Sequence, residues 1–290
     1  MKHLSILLAM CMAIFATSCD DNEEVVTTVP FQQIYTVSGS TGYTTLFPET
    51  TFTYEIESSE SEIDLTISGI TFHPNMRPIT MEINDVPFSS TSKGFMISGS
   101  NIIPEVGDKD MPEYTITSIT GQISSSLNAS GNICKLSFTI NNEFIVNAYS
   151  TPLIFEHNSQ TLVSGDPMSS SVFNYNEAFY AVSFNTDTNT AQIELYNVKF
   201  HKNMPVALNL IFKDIPFSTT SNGFEMASES ITAVMNNSEQ TPMTDYPISN
   251  MTATIINDKL ELNFDCVILA PGSSVGGITY TVSSSAGLLP

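Results

Sequence analysis

Apolar and polar side chains alternate along most of the chain beyond its N-terminal segment. Phe52, Tyr54 and Ile56 are interleaved with Thr53 and Glu55, and Ile63, Leu65 and Ile67 with Asp64 and Thr66. A period of two places successive side chains on opposite faces of a strand, so each run predicts a strand with one buried and one solvated face. The polar stretch ESSESE between the runs predicts a turn, and with it a hairpin. The same writing returns later: Tyr180, Val182 and Phe184, then Ala191, Ile193 and Leu195, joined by NTDTNT. After the leader no run places apolar residues at i, i+3, i+4 and i+7, and Ala, Leu, Lys and Arg are scarce. The pattern predicts an all-β protein.

The recurrence is a duplication. FHPNM at residues 72–76 reappears as FHKNM at 200–204, and ITMEINDVPFSSTSKGF (79–95) as LNLIFKDIPFSTTSNGF (208–224). Downstream, YTITSITGQI (114–123) corresponds to YPISNMTATI (246–255), and KLSFTI to ELNFDC. A period above 100 residues marks duplicated domains rather than solenoid units. The expected division is a leader at 1–18, an acidic tether at 19–30, a first β-domain at 31–150 and a second at 151–290, with the boundary near NAYSTPL (147–153). Pro87 and Pro216 lie within apolar runs; proline cannot donate to a ladder, so each predicts a strand edge or a bulge where the strand bends. Phe72 and Phe200 are expected to plug the cores beside a tight turn that both copies need. His73 and His201 sit in that turn without a second His, Cys or carboxylate at ligand spacing, which favours the turn over a metal site or a general base. The C-terminal GGITYTVSSS is expected to close the second domain, although it also has the makings of a donor strand for a surface assembly.

Charge and the leader set the address. Nine Lys and Arg stand against 30 acids, a net −21, and charged residues make up only 13% of the chain. Such a surface repels nucleic acid and anionic headgroups, so no nucleic-acid partner is expected. Lys2 and His3 precede an apolar core from Leu4 to Phe15, about 12 residues and too short to cross a bilayer. ATSC at 16–19 resembles a bacterial lipoprotein processing box, which implies that Cys19 becomes the lipid-modified first residue. DDNEE (20–24) resembles the surface-export tag of Bacteroidetes lipoproteins. The expected location is the outer membrane, lipid-anchored and facing the cell exterior. Loss of Cys11 and acylation of Cys19 leave Cys134 and Cys266; each falls on the apolar phase of its strand, in a different half, which predicts two free buried thiols.

The order of features resembles the calycin-like β-barrel lipoproteins of gut Bacteroidetes, in two tandem copies. It is carried by IDLTISGITFHPNMRPITMEINDVPF and IELYNVKFHKNMPVALNLIFKDIPF: a strand ending in Phe, a turn with Met and Pro, a second strand, then Val-Pro or Ile-Pro. The first copy departs at Met76-Arg77-Pro78, where the second reads Met204-Pro205-Val206. The resemblance implies tandem antiparallel calycin-like barrels or sandwiches and a pocket for a hydrophobic small molecule; it transfers no catalytic residues. Tandem β-domains with apolar clefts are also similar, more distantly, to bactericidal/permeability-increasing-like lipid-binding proteins.

Patterns of catalytic type lack their context. GSSVG (272–276) matches a nucleophile elbow, but neither Asp nor His follows Ser274; STSK (90–93) matches S-x-x-K, but the second copy reads TTSN and no helix is predicted. Asp108, Asp110 and Glu113 could hold calcium only weakly, because they lack the spacing of a regular loop. No enzyme activity, cofactor or metal is expected. Met76, Met81, Met96, Met204, Met226, Met235, Met243 and Met251 fall within the repeats and suit either core filling or varied apolar guests. The expected function is that of a surface-displayed, non-catalytic lipoprotein binding a hydrophobic or amphiphilic small molecule in a barrel or between the domains. The alternative is an adhesin or glycan-binding accessory protein, with Tyr35, Tyr43, Tyr114 and Tyr246 as aromatic platforms.

Overall fold

A computed structural model describes residues 25–29, 33–38, 44–47, 50–56, 61–72, 76–92, 94–125, 132–149, 152–161, 173–200, 204–220, 223–268 and 278–288. The alternating runs become antiparallel strands, and among the described residues there is no α-helix. The leader, Cys19 and the acidic run after it lie outside the described residues.

Ten strands form each of two sheets. The first comprises β1 (Val25–Val29), β2 (Gln33–Ser38), β3 (Thr44–Phe47), β4 (Thr51–Ile56), β5 (Glu62–Ile70), β6 (Ile79–Thr91), β7 (Gly94–Gly99), β8 (Ile116–Ser125), β9 (Asn132–Ile140) and β10 (Phe144–Tyr149). The second comprises β11 (Leu153–Thr161), β12 (Phe173–Tyr175), β13 (Phe179–Asn185), β14 (Thr190–Val198), β15 (Leu208–Thr219), β16 (Gly223–Ile231), β17 (Val234–Met235), β18 (Ile248–Ile256), β19 (Lys259–Ile268) and β20 (Ile278–Leu288).

β11 closes the second sheet into a barrel. Its residues 153–156 pair with β13 while residues 155–160 pair with β20, completing the circuit β11-β13-β14-β15-β16-β18-β19-β20. In the first sheet the same position is shared by two strands, β1 on β4 and β2 on β10. Only residues 30–32 separate Val29 from Gln33, a reach of at most about 14 Å. That reach is about three strand spacings, and among the described residues no ladder joins β1 to β2 or β3, so the first sheet is a half-barrel where the second is closed. β20 thus closes the second domain, as its sequence predicts.

The inward faces are filled. Phe52, Leu65, Ile67 and Phe138 are fully buried in the first barrel, and Phe155, Phe212, Phe224 and Phe264 in the second. Outward faces are polar in a particular way: along β19 and β20, Thr281 donates to Asp265 (2.7 Å), Ser283 to Asn263 (2.6 Å) and Ser285 to Glu261 (2.9 Å). Cross-strand hydroxyls thus satisfy acids in a chain that has few cations to pair with them.

The barrels meet at the ends joined by the linker. Asp258, in the β18–β19 turn, accepts from the Lys135 ammonium on β9 and from the Tyr149 hydroxyl at the end of β10. Lys135 also lies 6.0 Å from the centroid of the Tyr149 ring. β11 leaves this junction at Leu153 and reaches the opposite rim of the second barrel at Thr161, paired with Phe173.

Candidate functional site

At that far rim the strands part. The β13–β14 ladder starts at Asn185 and Thr190 and ends at Phe179 and Tyr196. β12 continues along β11, with Tyr175 opposite Ser159, whereas the chain after Val198 turns away through Lys199 and Phe200. The gap is a shallow cleft of ≈ 230 Å³ in the barrel mouth, lined by Tyr175, Ala178, Tyr180, Leu195, Val198, Lys199, Phe200, Phe264 and Val282.

The floor is an aromatic network. Phe264 meets Phe200 edge-on at 5.7 Å and Phe212 at 5.2 Å, and the Phe200 N–H donates to Met204 Sδ at 3.1 Å, so the FHKNM turn presses its phenylalanine into the mouth. Tyr180 and Ser284 share a buried hydrogen bond of 2.8 Å in the wall. The lip is amphiphilic. Tyr175 stacks on Phe173 at 6.0 Å, and Lys199 Nζ lies 5.8 Å from the Tyr175 ring centroid. The Tyr175 hydroxyl donates to Glu177 Oε2 (3.2 Å), and Asn197 Nδ2 donates to the Glu177 carbonyl (3.0 Å). Burial, then the neighbouring Glu177, raise the Tyr175 pKa, which keeps this hydroxyl a donor.

Among the described residues the lining carries no carboxylate, imidazole or thiol. Cys266, two residues beyond Phe264, is fully buried and its thiol is pushed up to about 12 by burial, so it offers no thiolate. The described side chains of the mouth can therefore contact an apolar group and address a polar one, and among them there is no acid–base or nucleophilic set.

The first barrel treats the equivalent place differently. Phe72 is plugged as expected, but Tyr114 packs on it edge-on at 5.3 Å and Phe144 at 5.7 Å. Phe144 comes from a tight β9–β10 turn, Asn141–Glu143, where the second copy has a longer connection, residues 269–277.

The sequence-predicted residues fall as follows. Phe200 belongs to the mouth; His73 and His201 lie outside the described residues, as do Lys93, Ser274, Tyr43 and the side chains of Tyr35 and Cys134. Ser90 is exposed in the β6–β7 hairpin, a context without a helix. Asp108, Asp110 and Glu113 are exposed, and among the described residues no three metal-ligating side chains converge. Tyr114 and Tyr246 pack against the cores and are not free platforms. Met81, Met226 and Met251 are buried core, and Met76, Met204, Met235 and Met243 pack against it. A wholly hollow barrel is not what the side chains build: among the described residues large phenylalanines occupy the interior, and a cleft lies at the mouth of the second barrel. Tyr175 and Lys199 escaped the sequence reading because Tyr175 lies on a three-residue strand and Lys199 in a turn, neither long enough to show a period.

No protein-family model matches the chain, and no curated protein is detectably similar to it in sequence. Among solved structures, one that resembles it is a Bacteroides fragilis protein described as a candidate outer membrane protein, with 12% identity over 91% of this chain and 97% of that one and a TM-score of 0.35. Another is the isotype 1 transferrin binding protein B of serogroup B Neisseria meningitidis, with 8% identity over 92% of this chain and 77% of that one and a TM-score of 0.24. Similarities this low carry no functional argument.

Proposed function

We propose that this chain is a lipid-anchored outer-membrane protein of the calycin-like β-barrel kind, displayed outward, that binds a small amphiphilic molecule at the mouth of its second barrel without transforming it. One observation carries the binding assignment: an apolar cleft opens at the mouth of a closed eight-stranded barrel, its lip polar and its described lining without carboxylate, imidazole or thiol. Barrel mouths are a recurrent place for such ligands. The ≈ 230 Å³ of empty space at the cleft includes open solvent, so little of it is enclosed and a guest inserts only one end. Burial of its apolar part contributes about 25 cal/mol per Å² removed from water.

The test is saturable binding of the neutral fluorophore N-phenyl-1-naphthylamine to the mature chain, repeated with Ala178→Leu, which fills the cleft from its wall. A wild-type signal reduced at least about tenfold by the filling substitution supports the mouth; equal binding by both proteins rules it out. Anchoring rests on Cys19, and Cys19→Ala is expected to move the protein from the membrane fraction to the soluble one. Unchanged fractionation would refute the anchor.

A second reading, glycan binding through the exterior, has its own observation. Phe179 and Tyr196 stack at 4.5 Å and 6° on the outer face, where the first copy pairs Thr51 with Ser68. The fold does not require that aromatic pair. This reading expects glycan binding that survives Ala178→Leu.

A further inference from the structure

We propose that the molecule taken at the mouth is an organic anion whose carboxylate is held by Lys199; this rests on the mouth being the binding site. Among the described residues Lys199 is the one charged residue in the lining. In a chain with nine basic residues and 30 acids, cations are expected to find acidic partners. Lys135 pairs with Asp258 and Lys259 with Glu261. Among the described residues Arg77, Lys109, Lys199 and Lys213 have no ion pair; of these Lys199 alone lines the cleft, its ammonium over the ring of Tyr175 at the lip. Glu177, an acid at this lip, accepts from the Tyr175 hydroxyl.

The duplication supplies a control. The residue before the plugging phenylalanine is Thr71 in the first copy, buried, with its hydroxyl donating to the Met76 carbonyl at 3.3 Å. The turn therefore forms without a lysine. Lys199 belongs to the copy that bears the cleft, and its counterpart is Thr71 where Tyr114 and Phe144 cover the plug.

The chain as a whole repels anions, with a net charge of −21. That repulsion is screened beyond about 8 Å at physiological ionic strength, whereas an ammonium at the lip acts at contact. Its hydrogen bond to a carboxylate is charge-assisted, so it discriminates an anion from a neutral analogue of the same shape. The apolar body would then lie against Phe200, Phe264 and Val282.

Hexanoate and hexanamide, nearly equal in size and differing in charge, provide the test, titrated into the full mature chain with its leucine and valine methyl groups labelled for NMR. We expect both to shift the methyl resonances of Leu195, Val198 and Val282, with hexanoate binding about tenfold tighter. Lys199→Gln should abolish that preference and Lys199→Arg should restore it. Equal affinities on the wild type, or a preference that survives Lys199→Gln, overturn the anion assignment and leave the mouth standing. Failure of both compounds to shift those methyl groups overturns the mouth as well.

Discussion

Cys266 shows how one side chain reports the state of the core. Its neighbours along the strand, Leu262 and Phe264, share its inward phase, and it is fully buried. A thiolate there would sit in an apolar interior, so the folded thiol titrates near 12, against 9.0 for an unperturbed group. The stabilising contribution of the neutral thiol is complete below pH 9.0 and is lost progressively as pH rises toward about 12, because the unfolded chain ionises first. Urea unfolding at stepped pH should therefore show the stability gap between the wild type and Cys266→Ala narrowing above pH 9; a gap independent of pH would contradict the burial argument. The inward phase of Cys266, like the plugging role of Phe72 and Phe200, was legible from alternation alone. Lys199 was not, because nothing adjacent in the chain announces that its ammonium lies over a ring 24 positions away.

Among the strands, the Asp-x-Pro phrase explains an irregularity that both copies share. Asp85 and Asp214 have positive φ, 57° and 54°, and the ladders slip between Ile63 and Leu65 and between Ala191 and Ile193. These are bulges, each with one extra residue in a left-handed conformation that Asp tolerates better than a branched side chain. In the first copy the Asp85 N–H also donates to Asp64 Oδ1 at 2.9 Å. Beyond the bulge, the bent strand passes from one neighbour to the next: residues 79–87 of β6 pair with β5 and residues 88–91 with β7. The prolines foretold a bulge or an edge because a missing donor is a property of the residue itself. Gly223 carries a constraint of the opposite origin, since a Cβ there would fall 1.9 Å from the Ile255 carbonyl oxygen of β18. That close approach is a fact about two strands, invisible in either one.

The two barrels are joined by a small polar latch as well as by the chain. Lys135, Tyr149 and Asp258 come from both barrels, and the ion pair is partly solvated, with side-chain exposures of 28% and 35%. Such pairs contribute about 0–1 kcal/mol. Asp258→Ala is therefore expected to leave the melting temperature almost unchanged while broadening the distribution of distances between spin labels placed one on each barrel. An unaltered distribution would show that the latch does not set their orientation. The far rim that bears the cleft stands at the end of the second barrel away from this junction, a suitable place from which to meet a ligand.

Strand faces, the duplication, the bulges and the all-β class could be read from residue order, because alternation, missing donors and turn chemistry are properties of near neighbours. The hydrophobic pocket that the family resemblance implies is expected in a barrel or between the domains; phenylalanines fill the described interiors, and a shallow cleft lies at one mouth. Closure by β11, the covered mouth of one copy and the open mouth of the other, and the Asp258 latch came from the assembled fold. Each depends on where ladders end and on contacts between residues more than a hundred positions apart or in loops without periodicity, and local pattern holds no record of those distances.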